Sequence, residues 1–260
     1  MTAAAIDRAI ELNGTAVVMS RAAFLWGRRA AHDPAAVAAY ARPQVAAAPA
    51  PTLDEVIEKR ARILAEYQDA AYAERYRIQV GKIRAAEGAI NSSQLTEAVA
   101  HNLFKLMAIK DEYEVARLYA ETDFLRQIGE RFEGDYRLNF HLAPPLLARP
   151  DPKTGKVKKA AFGPWMLTAF KWLAKARRYR GSRWDLFGRS EERRLERALL
   201  ADYEADLLAL PEKLERTTLG DAIALARLPE KIRGFGHVKQ RSMDTVAPER
   251  EVLRARLGMA

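Results

Sequence analysis

The sequence has no cysteine in 260 residues. That excludes disulfides, thiolate catalysis, Cys-ligated zinc and an iron–sulfur cluster held by thiolates of this chain. Histidine is scarce as well. The four are His32, His101, His141 and His237, and none lies three to five residues from another, so no metal-ligand spacing is present. Glu97 and His101 stand at i, i+4 on an expected helix, which suits a surface pair or a helix contact and does not by itself make a site. Phosphate-cradling motifs are missing: there is no G-x-x-x-x-G-K-[ST] and no G-x-G-x-x-G after a strand. Gly234-Phe235-Gly236-His237 is too short for either and reads as a glycine-flexed turn. No Gly-x-Ser-x-Gly elbow supports nucleophilic hydrolysis.

Long apolar runs are also missing. The longest low-charge stretch, Ala160 to Phe170, is well short of the roughly 20 residues a membrane span requires. Met1 to Asn13 carries charges early and lacks a signal-type apolar run, so the expectation is a soluble, cytoplasmic chain with no membrane partner.

What is present is charge and helical periodicity. Forty-three Lys and Arg against 34 Asp and Glu leave a formal charge of +9, with both signs interspersed. A solvated helical surface accounts for this as well as an anionic partner does. Ala3 to Ala31 suits a helix pair broken near Asn13-Gly14, and His32-Asp33-Pro34 reads as a stop and restart. ARPQVAAAPAP, from Ala41 to Pro51, offers few large side chains to bury and three prolines, so 43–51 is expected to be a linker. Thr52-Leu53-Asp54-Glu55 has capping-box spacing and opens a long helical stripe to Ile83, with Gly81 and Gly88 placed to bend or end it. Further helices are expected from Ser92-Ser93, over Asp111–Tyr119 and Phe124–Phe132, and at Pro164–Arg178, Glu191–Leu210, Leu219–Leu228 and Pro248–Leu257.

One segment has a different period. From Asp135 to Leu142 polar and apolar residues alternate strictly, as in a half-buried strand, and Lys156 to Phe162 is the expected return strand of a hairpin turning near Thr154-Gly155. The fold class is therefore mainly α, with at most a small hairpin or sheet around residues 135–162.

Two groups of residues bear on binding. On the expected strand, Asp135, Arg137, Asn139 and His141 would project to one side as a row of donors and acceptors, suited either to an anionic ligand or to a salt-bridged sheet face. Between Phe162 and Trp184, Trp165, Phe170, Trp172, Tyr179 and Trp184 interleave with Lys171, Lys175, Arg177, Arg178, Arg180 and Arg183. The rings fit an amphipathic helix packed on a core, with cations at its C-terminus. A docking surface for a protein or an anionic cofactor is the second reading, and single-stranded nucleic acid the third.

Four stretches carry a resemblance. Leu106–Tyr119 (LMAIKDEYEVARLY), Phe132–Pro145 (FEGDYRLNFHLAPP), Phe162–Met166 (FGPWM) and Ile232–Lys239 (IRGFGHVK) resemble, collinearly, the C-terminal domain of the large fused bacterial indolepyruvate ferredoxin oxidoreductases. Ala5–Gly14 (AIDRAIELNG) and Phe24–Arg28 (FLWGR) resemble the last helices of the oxidoreductase γ domain. The resemblance implies residues 1–42 as a remnant of that γ domain and 52–260 as a helical accessory domain, the chain being a true subunit or a fragment of a split or truncated gene. It also implies an assembly that oxidatively decarboxylates aryl pyruvates to aryl-acetyl-CoA, passing electrons to ferredoxin through thiamine diphosphate and a [4Fe-4S] cluster.

None of the family's catalytic residues can be carried over. Gly134-Asp135 continues with Tyr136 where the thiamine motif would have glycine, and the cluster's cysteines are missing. The expectation is an inactive accessory chain binding no cofactor itself, with the thiamine-binding and γ domains as partners. Asp135, Arg137, His141, Arg233 and His237 are its candidate ligand contacts if the strand meets the glycine-bearing loop. The competing expectation is a free-standing basic helical module that binds an anionic partner such as nucleic acid.

Overall fold

The computed structural model describes residues 1–40, 50–142 and 160–259, in two compact units, Met1–Ala50 and Pro51–Ala260. Of the expected linker, residues 43–49 lie outside the described residues, as do the hairpin tip and the return strand's first residues, 156–159.

The first unit holds α1 (Ala3–Asn13), α2 (Val17–His32) and α3 (Pro34–Tyr40). Thr2 caps α1, and Gly14 ends it in the left-handed region. Arg21 on α2 makes a two-pronged ion pair with Asp7 on α1, at 2.8 and 2.9 Å. No residue of these helices is buried. Val18, Met19 and Trp26 remain exposed, so the described residues of this unit form helices without a buried core.

The second unit is built around α6 (Gln94–Met107), buried on most of its circumference by Leu95, Ala98, Val99, Ala100, Leu103, Leu106 and Met107. A helix that is apolar nearly all round must be enclosed by others. It is enclosed by α4 (Leu53–Tyr67), α5 (Ala70–Gly88), α10 (Glu191–Lys213) and α11 (Leu219–Lys231), and α12 (His237–Arg256) packs on α11. Two buried tyrosines satisfy their hydroxyls across this core: Tyr76 donates to the Ala100 carbonyl and Tyr203 to that of Ala226, each at 2.9 Å. Asp206 on α10 accepts from Arg250 and Arg254 of α12, a charged clamp at the rim of the apolar contact.

A smaller core joins α7 (Glu112–Ala120), β1 (Phe140–Leu142), β2 (Ala160–Phe162) and α9 (Met166–Lys175); α8 (Phe124–Arg131) adjoins α7. Tyr119, Phe140 and Phe170 meet at ring-centroid distances of 5.1–5.3 Å, in one stacked and two edge-on pairs. Such pairs contribute about 0.5–1.5 kcal/mol each beyond their buried area.

The expected fold class stands: twelve helices and one two-stranded antiparallel sheet among the described residues. Three local expectations need correction. The stripe from Thr52 to Ile83 is two helices, because Asp69 caps a new one by accepting from the Tyr72 amide. Helix α12 begins at His237, eleven residues before Pro248, which lies inside it. The strand over Asp135–Leu142 shrinks to Phe140–Leu142. Its register pairs Phe140 with Phe162, so Leu138 would have to pair with Pro164. Proline has no amide to donate, and the chain turns into α9 there, so the ladder stops.

Candidate functional site

A cavity of about 380 Å³ opens between the end of α4, the start of α7 and the irregular segment 180–188 that leads into α10. Its organising residue is Arg180. Its guanidinium lies over the Tyr67 ring, 3.7 Å from the centroid, and 5.5 Å from that of Tyr113. Nε and Nη2 donate to Asp111 at 2.6 and 2.9 Å, and Nη1 to the Tyr67 carbonyl. Asp111 also caps α7 by accepting from the Glu114 amide at 2.8 Å. One carboxylate therefore starts a helix and holds the cation that fastens the next segment.

Asp185 does the same for the loop. It is buried and accepts from the amides of Gly181, Phe187 and Gly188 at 2.8, 3.2 and 2.9 Å, and from the Tyr113 hydroxyl at 3.1 Å. Burial would raise its pKa, but these donors outweigh it and hold the carboxyl below the usual range. The same burial and the neighbouring carboxylate push the Tyr113 hydroxyl up to about 12, so it remains a donor at neutral pH. Gly188 is required by the packing: a Cβ there would stand 2.6 Å from Cγ of Asp185. Since four hydrogen bonds hold that carboxylate, Gly188→Ala is expected to cost about 2 kcal/mol, within the range for overpacking. A fall in the urea midpoint with an unchanged m-value checks this.

The cavity's charge is largely neutralised within it. Arg180 is committed to Asp111, Arg75 to Glu204 and Arg193 to Glu196. Arg197 donates to the Gly188 carbonyl at 2.6 Å. The arrangement ties chain segments together and leaves little uncompensated charge for a ligand.

A second cavity, about 320 Å³, lies on the other side of the 106–110 segment, with Ile109 in the walls of both. Lys105, Lys110, Arg233 and Lys239 line it with one carboxylate, Glu196. Lys105 Nζ donates to the carbonyls of Pro229 (2.5 Å) and Ile232 (3.1 Å) at the end of α11. Burial, then the nearby Arg233, lowers its pKa.

The sequence-derived site residues are divided. Arg233 lines this second cavity and His237 opens α12. Asp135 and Arg137 lie in irregular chain before β1, and His141 is exposed on β1 opposite Ala161. None of these three lines this second cavity, and with β1 confined to Phe140–Leu142 the expected row on a strand face is not formed. Lys105 and Lys110 were not singled out from the sequence. Their signal is two cations flanking an apolar segment that resembles a known family, which is faint without the fold.

The aromatic and basic segment also differs from its leading expectation. Helix α9 buries Met166, Phe170 and Ala174, the i, i+4, i+8 stripe, while Trp165 and Trp172 fall off that stripe and stay 62% and 73% exposed. Trp184 is 63% exposed, beneath Arg183 at 4.7 Å, and Lys175 lies 5.7 Å from the Trp172 ring. His101 contacts Arg60, with Nδ1 to Nη2 at 2.5 Å. Among the described residues no cluster of three or more His, Asp or Glu is placed to hold a metal ion, and no helix is long and apolar enough to cross a membrane.

No match to a curated protein or to a solved structure was found. Residues 53–252, which include both cavities, match the family of unknown function DUF6537, and the chain belongs to that family.

Proposed function

We propose that the chain is a non-catalytic docking domain of an indolepyruvate-type 2-oxoacid ferredoxin oxidoreductase, held against the thiamine-binding and γ portions through Trp165 at the start of α9, Trp172 on it and Trp184 in the 180–188 segment. The observation that carries the docking role is the exposure of Trp165, Trp172 and Trp184, with Lys175 against the Trp172 ring and Arg183 against that of Trp184. Exposed tryptophans among cations are costly to leave in water and are the residue type that dominates interface energies.

The oxidoreductase assignment rests on the resemblance, and the packing is consistent with it. Leu106–Lys110 and Ile232–Lys239, more than a hundred residues apart, line one cavity, while Tyr119, Phe140, Phe162 and Met166 share one core. Stretches that contact one another in space are those a retained three-dimensional unit would keep. The cluster chemistry must come from elsewhere, because the chain has no thiolate to offer. In this reading the domain's contribution is binding energy and the orientation of its neighbours, and thiamine diphosphate is held by the thiamine-binding portion.

The test is reconstitution. The chain alone is expected to show no indolepyruvate-dependent dye reduction. Mixed with separately produced thiamine-binding and γ portions of a complete homologous enzyme, it is expected to comigrate with them in size-exclusion chromatography. Replacing the three tryptophans by alanine should weaken that association about tenfold or more, since one such hot spot is worth about 2 kcal/mol, with melting unchanged. Failure to associate, or reduction by the chain alone, would overturn the proposal. Salt-sensitive binding of single-stranded nucleic acid by the chain would favour the free-standing module instead.

A further inference from the structure

The cavity behind the 106–110 segment brings four cations, from α6, the turn after it, the 232–236 loop and α12, to one space with a single carboxylate. Of its four cations, Lys239 is committed to Glu196 at 2.6 Å, a carboxylate that Arg193 already shares. Lys105 spends its hydrogens on two carbonyls, which neutralise no charge. Lys110 and Arg233 have no carboxylate within 4 Å among the described residues, and Glu230, the other acid near Lys105, is hydrogen-bonded to Asn102. Burial first, then Arg233 and more weakly Lys239, disfavours the charge on Lys105, and Glu230 offsets part of this. An anion in that space would relieve the repulsion.

The rest of the cavity is apolar and carries one ring. Leu106, Ile109, Leu199 and Ile232 form its floor. Phe235 lines its mouth and is 70% exposed. The loop holds it there because the residues on either side, Gly234 (φ +90°) and Gly236 (φ +54°), both occupy the left-handed region that side chains avoid. The Gly236 amide is fixed by Glu192 at 3.0 Å. A volume of about 320 Å³ is at the lower end of the roughly 300–1,000 Å³ of small-molecule sites.

We propose that this cavity binds a nucleoside diphosphate, or an organic phosphate of that class, with its phosphates on Lys105, Lys110 and Arg233 and its base against Phe235. A phosphate alone would leave the ring and the apolar floor unused, and a neutral ring compound would leave the cations unpaired. A molecule with both matches the two halves of the cavity. The site depends on the cavity alone and stands whether or not the chain serves an oxidoreductase.

Isothermal titration of the purified full chain with ADP, pyrophosphate and adenosine tests the assignment. ADP is expected to bind at one site, more weakly as salt is raised, and adenosine much less well. Lys110→Ala with Arg233→Ala, two exposed residues outside any ion pair among the described residues, should weaken ADP and pyrophosphate together, by about tenfold or more. Phe235→Ala should weaken ADP by about tenfold, the worth of one stacked base, while leaving pyrophosphate nearly unchanged. Lys171→Ala with Lys175→Ala removes the same charge from α9 and should change neither. Absence of ADP and pyrophosphate binding at millimolar concentration would overturn the proposal. So would binding that responds to the α9 pair and not to the cavity variants.

Discussion

Asp111→Ala is expected to lower the stability of the 51–260 unit by about 4 kcal/mol, a large share of the roughly 5–15 kcal/mol that holds a domain folded. Two losses combine. The α7 cap disappears, which costs about 1 kcal/mol, and Arg180 is left buried without its counter-ion, a situation that costs about 3–5 kcal/mol. The side chains of Asp111 and Arg180 are only 8% and 11% exposed, so water cannot readily take the carboxylate's place. Asp111→Asn separates the two effects: its amide oxygen can still accept from Glu114, so the cap persists while the charge is lost. If the aspartate acted only as a cap, Asn would be nearly silent and Ala would cost no more than about 2 kcal/mol. Urea denaturation of the three proteins, with m-values compared, decides it.

That network was not legible in the sequence, and the reason is distance along the chain. Asp111 and Asp185 sit in polar stretches with no spacing motif, and Arg180 looks like one cation in a basic run. Their meaning comes from contacts 69 residues apart, Arg180 with Asp111, and 72 apart, Asp185 with Tyr113. Local signals fared better because their physics is local. The Thr52–Glu55 capping box forms with both of its hydrogen bonds, at 3.3 and 2.7 Å. The break at Asn13-Gly14 and the restart at Asp33-Pro34 also occur as read. Where local signals compete, the sequence misleads. The apolar stripe running past Tyr67 conceals the cap at Asp69, and Pro248 has the residue type of a helix start although α12 continues through it. The alternation from Asp135 to Leu142 is present in the sequence, but a strand needs a partner with amides to donate, and only Ala160–Phe162 supplies it among the described residues.

Of the candidate site, the Gly234–Gly236 turn is legible in the sequence because paired glycines are a local feature, and Arg233 because it lies in a stretch that carries the resemblance; the exposure of Phe235 between the glycines is not. The cations that complete the cavity are not legible either. Lys105 and Lys110 come from the end of α6 and the turn after it, and only the packing of α6 against α11 brings them to Arg233. Trp165 and Trp172 illustrate a related limit: their spacing suits an amphipathic helix, but the ten-residue α9 buries a single stripe, and which rings fall on it depends on the angle at which the helix lands.

Glu87→Gln is expected to destabilise the central helix by about 2 kcal/mol and to remove part of the unit's sensitivity to acid. Ser93, at the N-cap of α6, makes no side-chain cap. That role falls to Glu87, in the last turn of α5, whose carboxylate accepts from the Leu95 amide at 2.8 Å and from the Thr96 amide and hydroxyl at 2.7 and 2.6 Å. The side chain is fully buried, and burial alone would raise its pKa. The Thr96 hydroxyl and the two amides, aided by Ser92 and by the positive end of α6, more than reverse this and hold it below its ordinary value of 4.5. A carboxylate whose pKa is depressed by folding contributes stability that is complete above its unfolded pKa and is lost as pH falls through the folded one. Glutamine cannot titrate, and its amide group would place two N–H donors against donors of α6. The variant should therefore be weaker at neutral pH but should lose less further stability between about pH 5 and pH 2 than the parent. Urea midpoints across that range test both parts, and parallel curves for the two proteins would show that the carboxylate's charge is not what caps α6.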